Sequence, residues 1–249
     1  MMQPPLAGNP KLYRDVAQRL MQRIVDGQYP VGTSLPREID LASEFGVSRN
    51  TVREALRLLT LDSVITRRKR AGTIVCRADL NAPRVLNYDP TASVAGLGKT
   101  TRFILHSTGR RRVPAALVPE AVGEGFSDWL YFSGIRQSLA IPQPICVTDF
   151  YLHSRLTAVA HLVGQETGLI WRMIERACGE RMRFVRNNIL PCRVTKAHAA
   201  LIDVPPGTLG IQVIRRIYND RNELLEVVNT ICPATRVSFE IAYDLPTTG

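Results

Sequence analysis

Cysteine is scarce, histidine scarcer, and lysine almost missing from a strongly basic chain. The five cysteines are Cys76, Cys146, Cys178, Cys192 and Cys232. None has C-x-x-C spacing, which excludes a local zinc knuckle or a disulfide framework and leaves small buried thiols. The four histidines, His106, His153, His161 and His198, form no H-x-H or H-x-x-x-H pair. No metal site is expected from them. No apolar run approaches the roughly 18 residues a membrane helix needs. Residues 1–10 lack the basic-then-apolar order of a secretion signal, so they read as a disordered lead and the protein as cytoplasmic. There is no G-x-S-x-G nucleophile motif. Gly98-Lys99-Thr100 suggests a phosphate loop, but Ser93 stands where the motif needs glycine. No catalysis and no nucleotide cofactor are expected. Internal repeats and low-complexity tracts are missing too.

What is present is ordinary globular composition with excess positive charge. The 249 residues hold 32 basic and 22 acidic side chains, net +10. Residues 1–78 carry 13 and 7 of these, while residues 79–249 carry 19 and 15. Net charge per residue is therefore about three times higher in the first third, the pattern of a polyanion-binding module ahead of a nearly neutral domain.

Apolar pairs at Leu12/Tyr13, Val16/Ala17, Leu20/Met21 and Ile24/Val25 predict a helix over 12–25, stopped by Gly27. A second helix is expected over 37–45, broken by Gly46, and a third from the N-cap Ser48 to about 62. Two short strands follow, 64–68 and 72–76, joined by Lys69-Arg70-Ala71. Residues 77–99 show no periodicity and read as a linker. Beyond them, strands are expected at 145–152, 183–190, 211–218 and 224–232, the last two forming a hairpin. Helices are expected at 158–163, 170–177 and 195–201.

Residues 38–57 have the pattern of a helix-turn-helix. Ala42 is small where helices cross, Gly46 can adopt positive φ, and Val47 and Val52 pin the second helix onto the first. The outward face of the third helix offers Ser48, Arg49, Asn50, Thr51 and Arg53, donors suited to phosphates and base edges. Residues 48–71 hold seven basic and two acidic side chains. Four consecutive basic residues, Arg67 to Arg70, lie toward the tip of a β-wing. A double-stranded DNA partner is expected.

The stretches Leu35-Pro36-Arg37-Glu38-Ile39-Asp40-Leu41-Ala42, Phe45-Gly46-Val47-Ser48-Arg49-Asn50-Thr51-Val52-Arg53-Glu54-Ala55-Leu56 and Gly72-Thr73-Ile74-Val75 closely resemble the winged-helix domain of GntR-family transcription regulators, over residues 11–76. The resemblance implies DNA contacts from Arg49, Thr51 and Arg53 and a wing, with Arg68, Arg70 and Gly72, entering the minor groove. Arg37 and Ile39 stand where the family usually has Ser and Arg, so Arg37 joins the candidate contacts.

Residues 100–246 resemble, more loosely, the UTRA domain of the HutC subfamily, through residues 98–105, 144–152, 195–207, Ile214-Arg215-Arg216 and the run from Leu225-Glu226 to Arg236. The implied fold class is α+β: a winged helix-turn-helix joined by a linker to a chorismate-lyase-like antiparallel domain that senses a small molecule. Arg102, Arg136, Ser138 and Glu226 are its expected effector contacts. Ser138 replaces the second arginine of a pair common in such regulators. Residue chemistry alone leaves Glu226 facing outward or paired with Arg216. The implied activity is that of a transcription regulator, a repressor that binds an inverted-repeat operator as a homodimer under control of a small-molecule effector. A lyase-like enzyme tethered to DNA and a nonspecific DNA-coating protein are the alternatives.

Overall fold

The computed structural model describes residues 10–68, 72–79, 84–87, 101–118, 124–138, 143–165 and 169–240. It divides into two compact units, Met1–Val85 with Ser138–Gln143, and Leu86–Gln137 with Pro144–Gly249.

The first unit contains α1 (Pro10–Val25), α2 (Glu38–Phe45), α3 (Arg49–Leu61), β1 (Ile65–Arg68) and β2 (Gly72–Val75). The four-residue apolar repeat of α1 places Val16, Ala17, Leu20 and Ile24 in one core with Leu41, Val52, Leu56 and Leu59. Gly46 ends α2 in the left-handed region (φ 64°, ψ 35°), and its N–H closes onto the carbonyls of Ala42 and Ser43. A residue with a Cβ is strained in that conformation, so the tight turn to α3 depends on glycine here. The Ser48 side chain accepts from the Thr51 N–H and starts α3. β1 and β2 pair antiparallel from Ile65 opposite Val75 to Arg68 opposite Gly72.

The second unit is built on a six-stranded antiparallel sheet, order β4-β5-β6-β9-β8-β7. Its strands are β4 (Thr101–Arg111), β5 (Trp129–Ser138), β6 (Pro144–Leu152), β7 (Met182–Arg193), β8 (Leu209–Asn219) and β9 (Leu224–Pro233). The strands expected at 145–152, 183–190, 211–218 and 224–232 are present. β5 is additional to the expected set. So are β3 (Arg84–Asn87), inside the stretch read as linker, and β10 (Val237–Glu240), which pairs with it. The helix expected over 158–163 is instead a 3-10 turn, Thr157–Val159, followed by further turns.

Register decides which residues meet. Phe132 lies opposite Phe150 and Arg136 opposite Cys146. Leu152 lies opposite Glu226 and Thr148 opposite Thr230. Arg215 lies opposite Val228. Strand alternation therefore gathers Arg136, Thr148, Thr230, Glu226 and Arg215 on one face, with Phe132, Phe150 and Val228. That face is covered by α4 (Ile170–Cys178) through Ile170, Met173 and Ile174. The opposite face carries Tyr131, Tyr151, Val147 and Ile231; α5 (Lys196–Ile202) covers part of it through Ala199 and Ile202. Gly134 lets β4 approach β5 closely: a Cβ there would sit 2.1 Å from the Ile104 carbonyl oxygen and 2.8 Å from the Phe103 ring.

Candidate nucleic-acid interface and buried ligand site

The helix and wing of the first unit carry exposed cations. Arg49 and Arg53 are exposed on the first turns of α3, and Arg68 is exposed at the end of β1. Arg53 donates to Asn50 Oδ1 at 3.0 Å, which fixes its guanidinium along the helix surface. Arg67 pairs with Glu38 at 2.9 Å, tying the wing strand to α2. Exposed pairs of this kind contribute little stability, but they orient side chains. Arg37 is exposed at the N-cap of α2 and makes no side-chain cap bond, while Ile39 beside it is 56% exposed. Gly72 opens β2 with φ 81°. Arg70 lies outside the described residues.

One member of the expected contact set, Thr51, faces inward. Thr51 is only 3% exposed, and its hydroxyl is 2.8 Å from Ser48 Oγ. Ser48 Oγ in turn accepts from the Thr51 N–H at 3.1 Å. These two side chains build the start of α3, where Ser48, Arg49 and Arg53 are exposed and Asn50 is half-buried.

In the second unit, the four expected effector residues are not all brought together. Glu226 and Arg136 are both buried on one sheet face. Glu226 Oε2 has no hydrogen-bond partner among the described residues. Its burial pushes the carboxyl pKa up to about 7, against the pull of Arg215 and Arg136. Burial likewise lowers the pKa of Arg136 from the usual guanidinium value. Arg136 Nη1 donates to Thr101 Oγ1 at 3.3 Å, and its guanidinium lies 5.8 Å from the Phe103 ring centre and 5.7 Å from that of Phe150. Arg102 goes elsewhere. Thr101 faces Arg136, so alternation sends Arg102 to the other face, where it is exposed and donates to Gln137 Oε1 at 2.9 Å. Ser138 Oγ donates to Asp62 Oδ2 at 2.5 Å, a bond within the first unit at the end of α3. The Glu226–Arg216 pair does not form. Arg216 faces the opposite side, where it donates to the Leu117 carbonyl at 2.7 Å and to Asn188 at 2.9 Å. The cations on the Glu226 face are Arg215, the sequence neighbour of Arg216, and Arg136. Arg236 is a brace, donating to the carbonyls of Pro144 and Ile202 at 2.9 and 2.6 Å.

Sequence reading missed a second buried polar group. Asp149, on the opposite face, accepts from Ser133 at 2.6 Å, Tyr131 at 3.1 Å and Asn229 at 3.3 Å. His198 Nε2 on α5 lies 3.8 Å from it. Burial, and then the Asp149 charge, push the Tyr151 hydroxyl up to about 12. The available signal was a carboxylate inside the apolar run of β6, of the same kind as Glu226 in β9.

Two helices joined by a glycine-tight turn, the second bearing an arginine-rich first turn and followed by a two-stranded wing, define a winged helix-turn-helix DNA-binding domain. Residues 12–75 match the bacterial regulatory proteins of the gntR family, and this part of the chain is a GntR-family helix-turn-helix domain. The chain is 47% identical over 70 residues to the uncharacterized HTH-type transcriptional regulator YieP of Escherichia coli K12, covering 28% of this chain and 30% of that one. It is 40% identical over 68 residues to the histidine utilization repressor of Pseudomonas putida, 27% of each chain. These matches thus span under a third of the relatives' length. The crystal structure of PhnF from Mycobacterium smegmatis superposes with TM-score 0.53 at 18% identity, covering 92% of this chain and 100% of that chain, and shows the same fold.

Proposed function

We propose that the protein is a DNA-binding transcription regulator, a repressor, whose hold on its operator is controlled by a small molecule bound in the second unit. The observation that carries this reading is the Arg49–Asn50–Arg53 surface of α3 beside a wing, in a domain of the GntR type. Major-groove readout needs such donors on the first turn of a recognition helix. The protein acts as a homodimer on an inverted repeat, because a two-fold protein matches palindromic half-sites. Its activity is binding, not catalysis. The relatives carrying the same domain include named repressors, which supports the regulatory direction.

The effector site is the Arg136–Glu226 face of the sheet. A buried carboxyl with an unpartnered oxygen is costly unless something donates to it, and a ligand hydroxyl or amine supplies that bond. Arg102 and Ser138 leave the expected contact set, because one lies on the other face and the other is bonded to Asp62.

A footprint across the DNA flanking its own gene tests the first part; protection of an inverted repeat is expected, and uniform coating without a preferred site would overturn it. A thermal-shift screen of small polar metabolites tests the second. For any ligand found, Arg136→Ala and Glu226→Gln should each weaken binding at least tenfold, about 1.4 kcal/mol, with DNA affinity in the absence of ligand unchanged. Unaltered ligand affinity in both variants would return these residues to a structural role.

A further inference from the structure

Cys146 and Cys232 are buried, not disulfide-linked, and lie in one apolar cluster with Ile145 and Val237. Neither takes part in the nucleic-acid surface, and the effector reading uses neither. β6 and β9 pair antiparallel with Val147 opposite Ile231 and Thr148 opposite Thr230. The pairing ends at Val147 and Ile231; Cys146 and Cys232 are the next residues along the two strands, and they pack in one cluster. The Cys146 side chain acts directly on the Cys232 thiol. Arg136, opposite Cys146 on β5, interacts electrostatically with both sulfurs.

The backbone spacing suits a bridge. Directly opposed residues of an antiparallel pair have Cα atoms about 4.5–5.5 Å apart. Disulfides form between Cα atoms about 4.4–6.8 Å apart. Cys146 and Cys232 follow directly on the last paired residues and pack together, which places them next to positions at that spacing. Cys192 also acts on the Cys232 thiol, but from another strand and face. It lies on β7 opposite Gly210, and it packs with Val194 and Ile231 on the other face.

We propose that Cys146 and Cys232 are a modification site, a dithiol that closes to an intramolecular disulfide under a hydroperoxide oxidant and reopens under a thiol reductant. One thiolate attacks a peroxide oxygen; the S–O bond forms, the O–O bond breaks, and the leaving hydroxide takes a proton to become water. The second thiolate attacks the sulfenic sulfur, the S–S bond forms, and the sulfenic oxygen leaves as a second water. Two thiols and one hydrogen peroxide give one disulfide and two waters, with two electrons passing from sulfur to oxygen. The Cys146 side chain and burial hold the Cys232 thiol well above its usual range, so thiolate is scarce at neutral pH. Closure is slow there and accelerates as pH rises. The proposal holds whether or not Arg136 binds an effector.

The test uses the full-length protein in native buffer. It is exposed to hydrogen peroxide, quenched, unfolded, alkylated and digested. The expected product is a peptide pair joined through Cys146 and Cys232, formed faster at alkaline than at neutral pH. Dithiothreitol should return both cysteines to the alkylated form. Cys192→Ser should close as the wild type does, and Cys146→Ser should leave Cys232 unlinked. The wild-type peptide map carries the result even if Cys146→Ser fails to fold. Recovery of both cysteines as separate alkylated thiols, under exposure that oxidises the solvent-facing Cys76, would overturn the proposal. So would their conversion to sulfinic acids, or linkage to other cysteines.

Discussion

The two units keep their polar groups in opposite places. The first has one continuous apolar core, from Val16 to Val75, with Thr51 and Asp62 as the buried polar members among its described helices and wing. Its cations Arg49, Arg53 and Arg68 are outside. The second divides its apolar residues into separate clusters and buries Arg136, Asp149, Arg216 and Glu226 between them. Buried charge is costly and must be hydrogen-bonded or left to a ligand. A unit that meets a polyanion can keep its chemistry in water and its core dry. A unit that encloses a small molecule must give up part of its core to polar groups.

The largest expected effect breaks one side of that comparison. Leu59 is fully buried in the first unit, and Leu59→Ala should cost about 2–5 kcal/mol. Both tryptophans, Trp129 and Trp171, lie in the second unit. Fluorescence therefore follows the second unit, while helical circular dichroism is weighted toward α1–α3. In denaturant titrations the dichroism midpoint should fall and the fluorescence midpoint stay. Equal falls in both would mean that the units unfold as one.

Glu226 sharpens the other side. Its carboxyl is raised from 4.5 to about 7 in the folded state. The folded protein thus holds that proton more tightly than the unfolded chain, and this group's contribution falls as pH rises from about 4.5 to about 7. Glu226→Gln removes the loss. The variant should be more stable than wild type above pH 7 by about 3 kcal/mol, and equal to it near pH 4. A stability difference that is flat with pH would show that Glu226 is not protonated by burial.

Arg53→Ala and Arg49→Ala should each weaken operator binding by about 1–3 kcal/mol and relax base preference. Arg68→Ala should weaken all sequences alike and reduce the salt dependence. Loss of the Arg53–Asn50 bond leaves stability nearly unchanged, because that pair is exposed. Electrophoretic shifts at fixed salt, on operator and scrambled DNA, separate these outcomes.

Legibility followed the range of the determining interactions. α1, α2 and α3 are written in local period, caps and Gly46, all within a few residues. The β8–β9 hairpin is written in a short polar turn between β-rich runs. β5 was not, because residues 129–134 are buried on both faces and lack alternation, and Gly134 reads as a break. The proposed effector site was legible by type and not by side. Glu226 stands out as a carboxylate in an apolar strand, and Arg136 lies beside the Pro144-Ile145 strand. Whether Arg102 or Thr101, and Arg215 or Arg216, faces them depends on register, where one residue reverses the side. The irregularity between Arg136 and Gln137 is set by pairing across strands and leaves no local mark.

The smallest expected effect concerns Ser48, which can act as a helix cap or as a DNA contact. The geometry favours the cap: Ser48 Oγ accepts from the Thr51 N–H at 3.1 Å and lies 2.8 Å from the Thr51 hydroxyl. Ser48→Ala should cost about 1 kcal/mol in the first unit. That loss alone does not separate the roles, because fraying the first turn of α3 also disturbs Arg49 and Arg53. Ser48→Asp does separate them. Aspartate caps as well as serine does, and its charge suits a helix N-terminus, so the helical transition should stay near wild type. The same carboxylate at a DNA-facing position repels phosphate, so affinity for operator and scrambled DNA should fall together. If Ser48→Asp keeps both stability and DNA affinity, the start of α3 does not approach the phosphates, and the exposed arginines one turn along must reach the DNA from a different docking angle.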